Sequence, residues 1–390
     1  MEPLIPAYTC GTHRLLSPEQ TLARITPYLS ACGITRCAEV TALDLDLGVP
    51  TYCAIRPTAL VLQTSNGKGL TQLSAKVSAL MEAIELYHAE NPLPQQLRRD
   101  SWNGLARQGL YGIKPSDLPA YDNGFFSADY LFDWVRGEAL VSQKEIWLPA
   151  SAVYFCEHSL YRTSTHGLAS GNHLVEATLH ALYELIERDA ISSLEIKGRL
   201  KIKEKCKIID LNTITDESLQ KVFRKLKEAQ TKLILLWIPS CVPVHTFWAI
   251  LLNQAPFTAV STFNAGCGTH LDLTIAATRA ITEAVQSRLA LVHGSREDII
   301  SRPVYKAAQP ESNPAYLYFD QLEADTTWQM LEPTTPRNQL DLQQDYLYLL
   351  AQLAQAGHHH IFRVDLTNPT LNIPVVKVII PSLRFNRSLF

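Results

Sequence analysis

The sequence predicts an α+β fold, with mixed sheets and several long helices. Three observations predict it. Strand-like runs cluster instead of alternating regularly with helices, which argues against a doubly wound parallel sheet. Three apolar-periodic segments, ending near residues 90, 190 and 293, have helical length. Each follows small residues: NGKG (66–69), Gly167 to Asn172, and AGCG (265–268). No solenoid-type repeat is present. The recurrence of small residues, helix and acids fits internal duplication and convergence on one site equally well.

The elements follow in chain order. Residues 11–31 read as a helix, with Ser17 as N-cap, Pro18 in the first turn and Gln20 completing a capping box. Residues 36–56 read as strand, turn, strand, and ALVLQTS (59–65) as another strand. NGKG reads as a tight turn before a helix from about Leu70 to Glu90. Such a turn can cradle phosphate through backbone N–H groups and Lys68. The GxxxxGK[ST] spacing is absent, so it is not a P-loop. Residues 91–124 carry little periodicity and read as a surface excursion with one short helix. EIWLPASAVYF (145–155) is strand-like. The basic run KGRLKIKEKCK (197–207) reads as a solvated edge able to meet an acidic peptide. Residues 216–230 form an amphipathic helix. TKLILLWIP, VHTFWAILL and FTAVSTFNAG are strand-like. AGCG reads as a further glycine turn, opening a helix from Leu273 to His293. Residues 301–338 are irregular and Pro-rich, a loop or lid. A helix (339–356) and two strands, in HHHIFRVDL and VVKVIIPSL, close the chain.

The chain has 390 residues, 46% of them hydrophobic, and a formal net charge of -3. That is ordinary globular composition, read as a single domain over 1–390 with excursions at 91–124 and 301–338. The near-neutral balance argues against nucleic-acid binding. No apolar run reaches bilayer length, and the first residues lack a secretory pattern. The 8 cysteines form no CxxC pair. Reduced thiols in the cytoplasm are the expectation.

The helical acids carry the chemistry. Glu184 and Glu187 share a face, with Glu176 two turns earlier. Ser78, Glu82 and Glu85 fall at i, i+4 and i+7 on the preceding helix. The third helix carries Arg279, Glu283, Gln286 and Arg288. A single ExxE is usually a salt-bridged surface pair. Three such helices, apolar elsewhere, point instead to a common site. Magnesium takes carboxylates, water and phosphate oxygens, and phosphates take Arg, Lys and N–H groups. Both donor sets are present, which points to a nucleoside triphosphate held through more than one magnesium. The histidines at 166, 173, 180 and 358–360 show no standard zinc spacing and read as structural. No nucleophile elbow or catalytic cysteine context occurs.

Three segments resemble the YcaO family: NGKG with SALMEAIELYHAE, HGLASGNHLVEATLHALYELIERDA, and AGCGTHLDLTIAATRAITEAVQSR with the trailing GSRED. GTHRLLSPEQTLARI and DLTNPTLNIPVVKVIIP extend the resemblance over nearly the whole chain. It implies a YcaO-like fold with ATP and Mg2+ as cofactors. It implies that a peptide amide oxygen attacks the γ-phosphate, and that phosphate then leaves. An internal Cys, Ser or Thr gives an azoline, and an external sulfur source gives a thioamide. Position by position, it implies metal ligation by Glu82, Glu85, Glu176, Glu184 and Glu187. Arg14, Thr21, Lys68, Ser78, Asn172, Arg188, Gln286 and Arg288 would hold the nucleotide. Glu184, Glu187 and Arg188 would be catalytic.

Two departures direct the reading. Leu86 follows Glu85 where the family usually has Arg, and PSLRFNRSLF lacks the proline-rich tail of azoline-forming members. SALMEAIELYHAE is similar to members encoded beside a TfuA-type partner, some of them thioamide-forming. The resemblance therefore implies a ribosomally made peptide or protein substrate, a TfuA-like or E1-like partner, and a homodimer. The alternative it leaves is a nucleotide-binding accessory factor, similar to the one assisting ribosomal protein S12 methylthiolation. A metal-dependent hydrolase on the same carboxylates would leave the basic residues without a role.

Overall fold

The computed structural model describes residues 2–121, 126–156, 159–162, 164–196, 199–254, 263–296, 314–331 and 340–386. The first helix, α1 (Pro18–Ile25), starts at Ser17. The Ser17 hydroxyl accepts from Gln20 N–H, and the Gln20 side chain accepts from Ser17 N–H at 2.9 Å. The capping box satisfies two of the free donors at a helix start.

Strands β1 (Arg36–Glu39), β2 (Thr51–Ile55) and β3 (Thr64–Lys68) form an antiparallel sheet in that order. NGKG is therefore not a turn. Its first residues lie in β3, and helix α2 (Gln72–Glu90) packs directly on them. A Cβ on Gly67 would stand 2.0 Å from the Ala79 backbone nitrogen. Glycine is needed there because a helix backbone touches a strand backbone.

The stretch after α2 is more regular than its composition suggests. It holds β4 (Leu97–Asp100) and α3 (Trp102–Arg107), and β5 (Phe132–Ala139), β6 (Lys144–Pro149) and β7 (Leu168–Ser170) follow. Arg98 pairs with Trp134 across the β4–β5 ladder, so the excursion supplies a sheet strand. After β7 comes the long helix α4 (Leu174–Ser192). A short hairpin, β8 (Glu195–Ile196) and β9 (Arg199–Leu200), lies in the basic run. It leads through α5 (Ile202–Lys205) into β10 (Lys207–Ile208) and α6 (Glu217–Glu228).

The next sheet has the order β10, β11 (Thr231–Ile238), β12 (His245–Asn253), β13 (Phe263–His270), all antiparallel. Alternation decides its burial. On β12, Phe247, Ala249 and Leu251 face a cluster with α6 and α7 (Leu273–His293). Trp248, Ile250 and Leu252 face another with α8 (Pro314–Asp320). AGCG lies inside β13 and is not a turn. Cβ atoms on Gly266 and Gly268 would stand 2.1 Å from Ala284 N and Ala276 O of α7. Of the expected loop or lid, 314–331 holds α8 and a 3-10 turn at Trp328–Leu331, and the remainder lies outside the described residues.

Helix α9 (Leu342–Gln355) and strands β14 (Phe362–Asp365) and β15 (Val375–Ile379) complete the chain order. The remaining sheet runs β4, β5, β14, β15, β7, with β6 on the other edge of β5. The common unit is thus a small-residue strand feeding a helix: β3 into α2, β7 into α4, β13 into α7. These units touch one another. Helix α2 contacts β7, α4 contacts β13, and α7 contacts β3. The acidic faces of the three helices meet at that junction.

Candidate active site

A cavity of about 890 Å³ lies between the three units. It is lined from α2 by Ser78, Glu82 and Glu85, and from α4 by Glu176, His180, Glu184, Glu187 and Arg188. Helix α7 adds Arg279, Glu283 and Gln286. Lys68 comes from β3, Arg14 and Thr21 from the N-terminal segment, Asn172 from the turn before α4, and Arg296 from beyond α7. The volume is in the range of pockets that bind small ligands.

Burial raises four of the acids that line the cavity. Burial pushes the Glu82 carboxyl up to about 7, while Arg296 and Lys68 pull it back. Burial pushes Glu85 up to about 8, although Ser170 donates to its Oε1 from N–H at 2.8 Å and from the hydroxyl at 2.6 Å. Leu86, the departure beside it, is buried in the apolar cluster under α2. Burial pushes Glu187 up to about 7 against the pull of Arg188. Glu184 is raised by burial too, with Arg188 and the Gly167 N–H (3.0 Å) opposing. Arg188 stands 3.8 Å from both Glu184 and Glu187. Burial disfavours its charge, but Glu187, Glu184 and Glu283 outweigh that and hold its proton more tightly than usual.

Glu176 differs. Arg14 (3.2 Å) and Asn172 N–H (3.1 Å) donate to its Oε1, and Leu15 N–H (2.8 Å) to its Oε2. It ties the N-terminal segment to α4. Asn172 does the same through Thr21, whose hydroxyl donates to its side-chain oxygen at 3.2 Å. Both Glu176 oxygens are thus engaged within the protein.

The donor set fits a divalent cation. Glu187 is 3% exposed, and its Oε2 has no hydrogen-bond partner among the described residues. One ligand atom from each of Glu187, Cys267 and Glu283 lies within 4.8 Å of the others. Buried carboxylates with raised affinity for protons are groups that a metal ion would discharge. Burial, followed by Glu187 and Glu283, raises the Cys267 thiol well above the ordinary range.

Cations line the same cavity, several of them paired with its acids. Lys68 donates to Glu283 at 2.8 Å, and Gln286 donates to the Asn66 carbonyl. Burial disfavours ionisation of Glu283, yet Lys68 and Arg188 hold it below the usual carboxylate range. Arg14 and Arg279 flank His180.

One expected contact fails. Arg288 does not enter the cavity. It is 0% exposed, and its guanidinium is ion-paired with Asp44, Nη2 to Oδ1 at 3.1 Å. The helical repeat explains this, since Arg288 is rotated about 140° from Glu283, whereas Arg279 and Gln286 lie within about 60° of it. Arg279 and Glu283 were visible on this face in the sequence. His180 was read as structural, and Arg296 and Cys267 were not singled out. Lys377 also adjoins the site. It is 6% exposed and donates to the Ser164 carbonyl at 2.8 Å; burial lowers its ammonium to about 8, with Glu184 opposing.

Residues 66–384 match the model of a family described as YcaO cyclodehydratase, ATP- and Mg2+-binding. A protein of Methanothermobacter thermautotrophicus is 32% identical over 379 residues, 94% of each chain. A protein from the tfuA 3′ region of Rhizobium leguminosarum bv. trifolii is 30% identical, over 96% of this chain and 89% of its own. Among solved structures, YcaO of Methanopyrus kandleri bound with AMPPCP and Mg2+ superposes with a TM-score of 0.78 at 22% identity, covering 98% of this chain and 95% of that one. The fold is shared with that structure.

Proposed function

Because the chain belongs to the YcaO family, which binds ATP and Mg2+, we propose that it phosphorylates a backbone amide of a ribosomally made peptide or protein, leading to a thioamide or an azoline. The observation that carries this reading is that one cavity is lined by both donor sets, the carboxylates of Glu82, Glu85, Glu184 and Glu187 together with the cations Arg14, Lys68, Arg188 and Arg296. When bound, Mg2+ supplies charge stabilisation and ATP supplies the phosphoryl group that makes the amide oxygen a leaving phosphate.

The protein's own groups have the following roles in this proposal. Glu82, Glu85, Glu184 and Glu187 hold the metal. Glu176 positions Arg14 and Asn172. Thr21, Ser78, Asn172 and Gln286 orient the nucleotide, and Arg14, Lys68 and Arg296 face its phosphates. Arg188, held between Glu184 and Glu187, counters charge developing on the amide and phosphoryl oxygens.

The relative from the tfuA 3′ region supports a TfuA-like partner, and the thioamide branch is what the sequence resemblance adds to it. The family's cyclodehydratase description supports the azoline branch. Cytoplasmic location and a homodimer belong to the same proposal; no described helix is long and apolar enough to cross a membrane. The test measures ADP release with candidate peptide and partner, in wild type and Glu184→Gln. Mass spectrometry of the peptide separates exchange of oxygen for sulfur from loss of water. Equal turnover in the variant refutes the assignment. ATP binding without turnover, whatever the partner, would favour an accessory role.

A further inference from the structure

A second, smaller cavity abuts the large one along α4. Glu184 and Glu187 line the large cavity, Leu185 lines the small one, and Arg188 lines both. The small cavity holds about 100 Å³. That is below the range of small-molecule sites, and it is room for several water-sized groups, which is one aliphatic or aromatic side chain. Its walls are apolar at Leu118, Val153, Phe155, Leu185, Ile380 and Leu383. The wall around Leu383 is held in place. The Phe385 ring packs on His166 with centroids 3.9 Å apart, Arg384 N–H donates to Asp189 Oδ1 at 2.7 Å, and Asn386 N–H donates to the Ser192 hydroxyl at 2.8 Å. The last two bonds pin this segment to α4, so the pocket is formed before anything enters it.

One polar group of the pocket has donors to spare. Lys377 lines it and is 6% exposed. It donates to the Ser164 carbonyl at 2.8 Å, its one hydrogen bond among the described residues. Glu184 favours its charge without accepting from it. An ammonium carries three N–H groups. Two of them therefore lack an acceptor among the described residues, which is costly for a buried cation. The apolar walls disfavour an anion as the missing acceptor, whereas a backbone carbonyl brings an acceptor without a charge. Neighbouring residues of a peptide stand about 3.8 Å apart. A peptide whose reacting amide lies against Arg188 thus has the side chain and carbonyl of an adjacent residue within reach of the pocket.

We propose that this pocket binds an apolar side chain of leucine or phenylalanine size next to the amide that is activated, with Lys377 donating to a backbone carbonyl of the same peptide. This rests on the reading of the large cavity as the place where ATP activates a peptide amide.

The experiment loads the full chain with Mg2+ and AMPPCP, whose binding is measured by calorimetry. Fluorescence anisotropy then follows fluorescein-labelled heptapeptides of glycine with Leu, Phe, Ala or Glu at the centre. Wild type should bind the Leu and Phe peptides about tenfold or more tightly than the Ala and Glu peptides, as burial of a large apolar side chain implies. Ala152 also lines the pocket. Ala152→Phe, which fills it, should abolish the preference and leave AMPPCP affinity unchanged. Leu383→Ala, which widens it, should shift the preference from Leu toward Phe, and it decides the matter if the Phe variant has lost its thermal transition. Lys377→Met should weaken the Leu and Ala peptides alike, about tenfold, and keep the ratio between them, because the lost bond is to backbone. AMPPCP-loaded wild type that binds all four peptides equally, or none, overturns the pocket and leaves the nucleotide reading standing. A preference unchanged in both Ala152→Phe and Leu383→Ala also overturns it, because the side chain then binds elsewhere. Wild type that binds no AMPPCP refutes the reading on which the proposal rests.

Discussion

Replacing Glu82 by Gln should stabilise the metal-free protein at alkaline pH and weaken its response to Mg2+ and nucleotide. Burial raises the Glu82 carboxyl from 4.5 to about 7. A carboxyl that binds its proton more tightly when folded favours folding while protonated. Its contribution is therefore undiminished below the unfolded value of 4.5 and is lost as pH rises through the folded value of about 7. At about 1.36 kcal/mol per pKa unit, the ionised side chain costs the folded state at most about 3.4 kcal/mol. Coupling to the neighbouring acids and partial solvation reduce this to about 1–3 kcal/mol. Gln keeps the shape and does not ionise. Denaturation in the presence of a chelator, at acid, neutral and alkaline pH, should give curves that coincide below about pH 4 and separate in favour of the variant by about pH 8.5. With Mg2+ and AMPPCP the order should reverse, because only the wild type retains the carboxylate that we propose binds metal. The reasoning is refuted if the variant is no more stable than wild type at alkaline pH without metal. It is also refuted if both gain equally from Mg2+ and AMPPCP.

Other expectations follow from the same geometry. Apparent Mg2+ affinity in the presence of nucleotide should rise from about pH 6 to about pH 8.5, with protons released, because burial raises Glu82 and Glu187 to about 7 and Glu85 to about 8. Calorimetry in buffers of different ionisation enthalpy measures that release, and a flat profile would contradict it. Asp44→Asn removes the partner of the fully buried Arg288 and should cost about 3–5 kcal/mol of stability, read by denaturation. Nucleotide affinity of the folded fraction should not change, because neither residue lines the cavity. Gly67→Ala should lower the thermal midpoint sharply or prevent folding, since its Cβ would stand 2.0 Å from a helix backbone nitrogen that cannot move independently.

Much of the architecture could be read from pattern. The capping box at Ser17 and Gln20 marks α1, and apolar periodicity marks α2, α4, α6 and α7 within a few residues. The glycine stretches were misread for a physical reason. Glycine signals a turn when the chain must reverse, and it signals close approach when another backbone presses on a strand. NGKG and AGCG are the second case, and only the position of α2 and α7 shows it. Leu97–Asp100 escaped notice because its strand character comes from pairing with β5 and not from its own alternation.

The chemistry divides in the same way. Residue type and helical spacing alone put Glu82 with Glu85, and Glu184 with Glu187, on common faces, because such spacing is a local property of the backbone. They also put Arg279, Glu283 and Gln286 on one face and Arg288 on another. Spacing could not bring α2, α4 and α7 together, because that depends on contacts between β7 and α2, β13 and α4, and β3 and α7. Burial follows from that assembly, and burial raises Glu82, Glu85, Glu184 and Glu187 above the usual carboxylate range. The assembly also ties Glu176 to Arg14 and sets His180 between two arginines that lie 265 residues apart in the chain (279 − 14). Local spacing determined which side chains could act together. Tertiary packing decided which of them face one another out of water, where a charge needs either a partner or a ligand.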